Sequence, residues 1–547
     1  MPVKRYGIYL CYPPKVDLRA EGLGRQLAAL LLAAQARSDV EFVIACPSWM
    51  PQTLRRLCDE AGVDFERLQI LAPARAPKLL RIAEAIARLQ KRPAGKEWLA
   101  RLALRLRRIV DGATAWSEAR LAGTRSALVL CLLLLAAIPV AGLVGIGRVL
   151  GWLDKKSNHL AQAAMRVCTR GLYGQGPRQV ARSATIARLY RHMEAAEARL
   201  MHALIAARFD ISAWYCPTAF WPHFNDIAGP RLMCVPDVVL GEFPIGFAMT
   251  GVDRFASTFI DVEQAIAGSH HLVTYSEHVK RTTLVERYHV DPDQVDVIPH
   301  GTNDLSALIT VSGMIDNEAG TRLYCATLLR SALAKAVGCD CASIYGSGDV
   351  RFLFYASQLR PNKNVLTLLR AYAWLLRTHA IPHKLVLTAC PNETPSVREF
   401  IAEQGIANDV LFLHGLSARE LAACYKLADL AVNPSLSEGG LPFTFSEAVS
   451  VGTPVVMARI AVTTEVLGGA PFAQSMLFDP YDWRALADRI AWAVDNKETL
   501  YAAQRRFFDE AVAARTWSHV VEDYIGILER ISRAEDRAGA KKQRVHA

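Results

Sequence analysis

Little in this 547-residue chain suits a redox or metal-centred protein. Twelve cysteines are scattered along it, but no two form a CxxC pair. Cys339 and Cys341 stand closest, too near each other for an easy bridge and without histidine partners. Thiols so placed read as reduced and mostly buried, as in a cytosolic protein. No clustered His/Asp motif marks an obligatory metal. The opening stretch MPVKRYGIYLCY lacks an apolar run before a cleavage site, so no signal peptide is expected. Charge is also sparse: 21% of residues are charged and 52% hydrophobic, which excludes a disordered chain. The length exceeds one ordinary core and predicts two or more large domains.

The charge that exists is unevenly placed. Residues 75–208 hold 24 Lys+Arg against 7 Asp+Glu, within a chain whose net charge is +10. Such a segment seeks an anionic partner: nucleic acid, lipid headgroups or a phosphorylated substrate. A merely solvated basic face is the plainer alternative. Nucleic acid fits poorly, because aromatics are not interleaved there as stacking platforms.

Inside that segment, residues 126–147 read SALVLCLLLLAAIPVAGLVGIG, without a charge. About 20 apolar residues suffice to span a bilayer core. Both flanks are basic, so both ends claim the cytoplasmic side. A single span would also part strands that belong to one sheet. Three readings stay open: a re-entrant hairpin turned near Pro139 and Gly142, an interfacial insertion, or a buried helix pair. Residues 96–110, KEWLARLALRLRRIV, add a basic amphipathic helix of membrane-surface composition.

Short apolar runs at 6–12, 41–47, 68–73, 211–217, 231–237, 271–277 and 295–299 read as buried parallel strands separated by helices. The first domain is placed at 1–310, with 75–208 as its helical, membrane-associating insertion. After its first strand, Gly22 and Gly24 open a helix whose free N–H groups suit an anion or a hydroxyl-rich ligand. Packing is an equal reason for such glycines. Residues 311–349 form a connecting segment, with a helix expected at 321–337. A second domain follows at 350–534, with strands at 350–357, 384–389, 410–415, 430–435, 454–458 and 476–479. Alternating strands and helices imply an α/β fold with ligands at the carboxyl ends of strands. The tail 535–547 reads as disordered and basic.

One loop stands out. PSLSEGGLPFTFSEAVSVGTPVVM, beginning at Pro434, places Glu438 and Glu447 around a Gly-Gly-Leu-Pro turn. With YASQLRPNKNVLTLLRAY, VTYSEHVKRTTLVERYHVDPDQVDVIPHGTND and EGLGRQLAALL, in this order and spacing, it resembles family 4 of the retaining, nucleotide-sugar-dependent glycosyltransferases. The resemblance is strong over about 350–480, moderate over 1–50 and 230–301, and absent over 75–208. It implies a GT-B fold: two Rossmann-like doubly wound domains facing a central cleft.

The resemblance also implies roles. Lys363 matches the lysine that faces the leaving phosphate. Gln358 stands at the family's arginine position, and Arg360, two residues on, is expected to substitute. Glu438 would contact donor-sugar hydroxyls and Glu447 the ribose hydroxyls. Gly439 and Gly440 would bring bare backbone to the sugar and diphosphate, with Leu441 beside them among the donor-binding residues. Eight residues separate the glutamates, where the family commonly has seven. Asp237 matches an aspartate that orients the acceptor hydroxyl, with Pro236 in place of the family's histidine. Ser276, Glu277, His300 and Gly301 would line the cleft, and His300 is not read as a catalytic base.

The loop and the GLGR start look most like bacterial surface-polysaccharide mannosyltransferases. The expectation is therefore mannose transfer from GDP-mannose to a lipid-linked saccharide, as in O-antigen synthesis. No cofactor or obligatory metal is expected. The anionic membrane surface would be a partner and nucleic acid would not. The place would be the cytoplasmic face of the inner membrane, held peripherally or monotopically. A GT-B sugar-nucleotide epimerase or hydrolase, and a non-catalytic membrane scaffold, are the competing readings.

Overall fold

The computed structural model describes residues 3–80, 177–311, 317–334, 350–389 and 394–546, with gaps at 15, 21, 79 and 251, plus a few positions from 124 to 131. The amphipathic helix expected at 96–110, most of 126–147, and Cys339 and Cys341 lie outside them. Among the described residues, no helix is long and apolar enough to cross a membrane.

Two parallel sheets are built. The first has seven strands: β1 Lys4–Tyr9, β2 Val40–Ala45, β3 Gln69–Leu71, β4 Ala213–Cys216, β5 Arg231–Cys234, β6 Leu272–Thr274 and β7 Val295–Val297. Their order is β3-β2-β1-β4-β5-β6-β7. The second has six: β8 Phe352–Tyr355, β9 Lys384–Leu387, β10 Val410–Phe412, β11 Leu430–Asn433, β12 Val455–Ala458 and β13 Leu477–Phe478. Their order is β10-β9-β8-β11-β12-β13. Every apolar run read as a strand is one, but the ladders are shorter than the runs. Tyr355 is the last ladder residue of β8, although strand-like composition continues to Ser357.

The chain divides into two compact units, residues 1–28, 38–214 and 223–229, and residues 29–37, 215–222 and 230–547. In the first unit, β1 and β2 run in register from Lys4↔Val40 to Tyr9↔Ala45. The helix Gly22–Gln35 lies between them in sequence. The missing Cβ of Gly24 points at the Leu18 carbonyl oxygen, 1.9 Å away, whereas Gly22 faces open space. Packing therefore explains Gly24.

In the second unit, β8, β11 and β12 are buried along their length, as strands covered on both faces must be. The helix Val365–Thr378 buries Val365, Leu368, Leu369, Tyr372 and Leu375, one stripe at helical spacing. Ser417 and Glu420 close a capping box at the start of the helix Ala418–Leu427. The segment read as a connection supplies the helix Glu318–Leu333. Its Cys325, Leu329 and Leu333 join the hydrophobic core of the second sheet.

The C-terminus corrects an expectation. Residues 535–546 are helical, the end of one helix running Trp517–His546. Ala, Glu, Lys, Arg and Gln dominate that stretch and no proline interrupts it, so helix propensity prevails over its polarity. This helix leaves the core of the second sheet. Its Tyr524 ring meets Tyr215 edge-on at 4.9 Å, and Arg530 pairs with Asp296.

Candidate active site

The strand order of the second sheet reverses between β8 and β11. Loops leaving the carboxyl ends of two such strands diverge and open a crevice. Here they are residues 356–364 and 434–442, and side chains lace them together. Asn362 Nδ2 donates to the Ser437 carbonyl at 3.2 Å, and the Leu436 amide donates to the Asn362 carbonyl at 2.8 Å. Asn364, left-handed at φ 54°, donates through Nδ2 to the Pro434 and Pro480 carbonyls. Asparagine tolerates that conformation better than most residues. The Tyr355 hydroxyl meets Ser435 Oγ at 3.1 Å and donates to the Lys363 carbonyl.

This lacing sets Lys363 Nζ 2.5 Å from Glu438 Oε1. Burial alone would lower the Lys363 pKa. The Glu438 carboxylate, Tyr355 and Asp237 together outweigh it and hold the ammonium above its ordinary value. Asp237, just beyond β5, belongs to the same cluster. Burial first and the Glu438 charge next push its carboxyl up to about 6, while Lys363 and Arg360 pull the other way. Arg360 itself is exposed, and Gln358 is half-buried with its carbonyl accepting from the Arg360 amide.

The glycines of the loop are explained by protein, not by open space. A Cβ on Gly439 would sit 1.8 Å from the Pro236 carbonyl oxygen. One on Gly440 would sit 2.9 Å from Tyr275 Cβ and 3.0 Å from His300 Nε2. Ser276 Oγ donates to the Gly439 carbonyl at 2.9 Å. His300 is packed between Tyr275 and Phe443, with ring centroids 4.0 and 4.8 Å away. Burial drives its pKa down to about 3, so the imidazole is neutral at physiological pH. Gly301 lies against the Trp517 indole. Leu441 packs partly buried on the core of the second sheet.

Glu447 sits on the helix Phe443–Ser450 and is 2% exposed. Its Oε1 accepts from Asn303 Nδ2 at 3.3 Å. The Glu277 side chain is 49% exposed and turned to Arg281, and its backbone amide donates to the Glu465 carboxylate. Gly22 and Gly24 belong to the first compact unit. Among the described residues, no cluster of His, Cys, Asp and Glu could hold a metal ion.

Tyr275, Asn303, Asn362, Asn364 and Trp517 complete the site, and sequence reading singled out none of them. Asn303, Asn362 and Asn364 fall within quoted motifs, but as polar residues in loops they carry no periodic signal.

Residues 345–507 match the family described as Glycosyl transferases group 1. A D-inositol 3-phosphate glycosyltransferase of Stackebrandtia nassauensis is 30% identical over 280 residues, 48% of this chain and 55% of that protein. An MMP alpha-(1->4)-mannosyltransferase of Mycolicibacterium hassiacum is 32% identical over 182 residues, 33% of this chain and 43% of that protein. The chain thus spans about half the length of the curated relatives it matches. Among solved structures, a Rickettsia africae glycosyltransferase superposes with a TM-score of 0.51 at 12% identity, covering 97% of this chain and 99% of its own. Anabaena HepE, solved with UDP and glucose, gives 0.51 at 12% identity, covering 96% and 100%. The fold is GT-B.

Proposed function

We propose, from the group 1 glycosyltransferase domain at residues 345–507, that this chain transfers a sugar from a nucleotide diphosphate to an acceptor hydroxyl. The observation that carries this reading is the meeting of Lys363, Glu438 and Asp237 at the strand-order reversal of the second sheet. A sugar leaving a diphosphate builds negative charge on the departing oxygen, and a protonated lysine held in place stabilises it. In this reading Lys363 turns from Glu438 to that phosphate, and Glu438 accepts hydrogen bonds from the sugar hydroxyls. Glu447 accepts from the ribose hydroxyls. Asp237 accepts from the incoming acceptor hydroxyl and orients it. The C–O bond to the phosphate breaks, the acceptor oxygen attacks the same face, and the departing phosphate oxygen takes its proton. The anomeric configuration is retained. Catalysis is then positioning plus electrostatics, with neither cofactor nor obligatory metal.

Mannose from GDP-mannose is the proposed donor, supported by the relative named as a mannosyltransferase. The proposed acceptor is a lipid-linked saccharide on the cytoplasmic face of the inner membrane, in synthesis of a bacterial surface polysaccharide such as O-antigen. The uncharged stretch 126–147 within the strongly basic 75–208 segment supports that placement.

A thermal-shift panel of nucleotides and nucleotide sugars, with Mg²⁺ or with EDTA, tests the donor. Stabilisation by GDP and GDP-mannose irrespective of metal is expected. Selective stabilisation by UDP and UDP-glucose would keep the transferase and discard mannose. No response to any nucleotide would overturn the reading. Deleting 126–147 should release the protein from anionic vesicles in a flotation assay; retention would move the anchor to 96–110.

A further inference from the structure

The chain crosses between its two sheets at residues 299–305 and returns at 512–517, and the crossings touch. The Thr302 amide donates to the Arg515 carbonyl at 2.8 Å, and Thr302 Oγ1 donates to the Val512 carbonyl at 2.5 Å. The first crossing is also pinned to the helix that carries Glu447. The Leu305 amide donates to Ser450 Oγ at 3.1 Å, and Ser450 Oγ donates to the Glu447 carbonyl at 2.9 Å.

Between these ties runs a chain of three side chains. Trp517 Nε1–H donates to Asn303 Oδ1 at 3.2 Å, and Asn303 Nδ2 donates to Glu447 Oε1 at 3.3 Å. An indole N–H can only donate, so it dictates which end of the amide faces it. The other end, the NH₂, must then face the carboxylate. The indole has little freedom to release it: Gly301 lies against the ring, where a Cβ would come within 2.8 Å, and Phe443 flanks it at 6.4 Å. A neutral amide donor also suits the task. It satisfies a buried carboxylate oxygen with a donor that itself carries no charge.

The geometry points to Asn303 as the positioning residue for Glu447, with Trp517 setting the sense of its amide. This rests on the nucleotide-sugar reading, in which Glu447 meets the ribose hydroxyls. Asn303 thereby governs how strongly the site prefers a ribonucleoside diphosphate over one lacking the 2′ and 3′ hydroxyls. Trp517 extends that control to the start of the returning helix, more than two hundred residues away in sequence.

Isothermal titration of the full-length chain tests this, using UDP, GDP and their 2′,3′-dideoxy counterparts. The wild type should prefer the ribose forms. Asn303→Asp sets a carboxylate against a carboxylate, and that preference should fall about tenfold or more, the worth of a hydrogen bond to a charged group. Affinity for the dideoxy forms should stay within about twofold. Trp517→Phe keeps an aromatic ring, smaller than the indole, and removes the N–H, and should lose part of the preference. Pairing Asn303→Asp with Glu447→Gln reverses donor and acceptor and should recover part of it. An undiminished preference in Asn303→Asp would overturn the inference, as would equal losses for ribose and dideoxy forms in both single variants. A wild type that binds neither diphosphate would overturn the nucleotide-sugar reading itself.

Discussion

The missing Cβ of Gly439 points at the Pro236 carbonyl oxygen from 1.8 Å. A methyl group there has no room, and the atom it meets is backbone, which cannot swing aside. Gly439→Ala should cost roughly 1–3 kcal/mol in urea denaturation, as overpacking does, and should abolish transfer by parting the loop from Asp237. Gly22→Ala is the control. Nothing lies within 4 Å of its missing Cβ, so its stability should change by no more than about 1 kcal/mol, towards greater helix stability.

Lys363 and Glu438 form a pair whose members depend on each other. Removing one takes from the other, a largely buried charge, its salt-bridge partner. Lys363→Ala and Glu438→Gln should each lower kcat at least about 100-fold, the scale of losing one preorganised charge contact. Their stability losses should not add, so the double variant will unfold at a lower denaturant cost than the two singles summed. Neither substitution should alter vesicle binding.

Asp237 gives the site a pH dependence with a defined sign. Its carboxyl rises from an ordinary 3.8 to about 6 in the folded chain. The native state therefore holds the extra proton between these values, and that contribution to stability is lost as pH rises through about 6. Asp237→Asn should stabilise the protein above pH 6 by on the order of 3 kcal/mol and leave it unchanged below pH 4. Activity should show the opposite preference. The wild-type rate should fall as pH drops through 6, and the variant, already impaired, should lose that limb. His300, neutral down to about pH 3, should add no limb of its own between pH 5 and 8.

The buried thiols should resist modification. Burial pushes Cys46 and Cys234 up to about 12, whereas Cys131 is exposed. Mass-spectrometric mapping after brief iodoacetamide treatment should find Cys131 alkylated and Cys46 and Cys234 protected until urea is added.

The two sheets were legible because each strand is a short apolar run closed by a turn, and burial on both faces requires that composition. Lys363, Glu438 and Asp237 were legible because their motifs keep order and spacing along the chain. Asn303 and Trp517 were not. Each is a lone residue at a crossing, and only the fold brings them within reach of Glu447. The final helix was cut short because polarity was read as disorder, although its residues are strong helix formers.

The exchange of elements across the crossings has a consequence for the integrity of the chain. The helix Glu318–Leu333 precedes the second sheet yet is built into its core, and the helix Trp517–His546 follows that sheet yet reaches back to Tyr215 and Asp296. A single proteolytic nick between Leu333 and Phe352 would leave two fragments, each gripping a piece of the other. Such fragments should copurify and, expressed as separate polypeptides, reassemble.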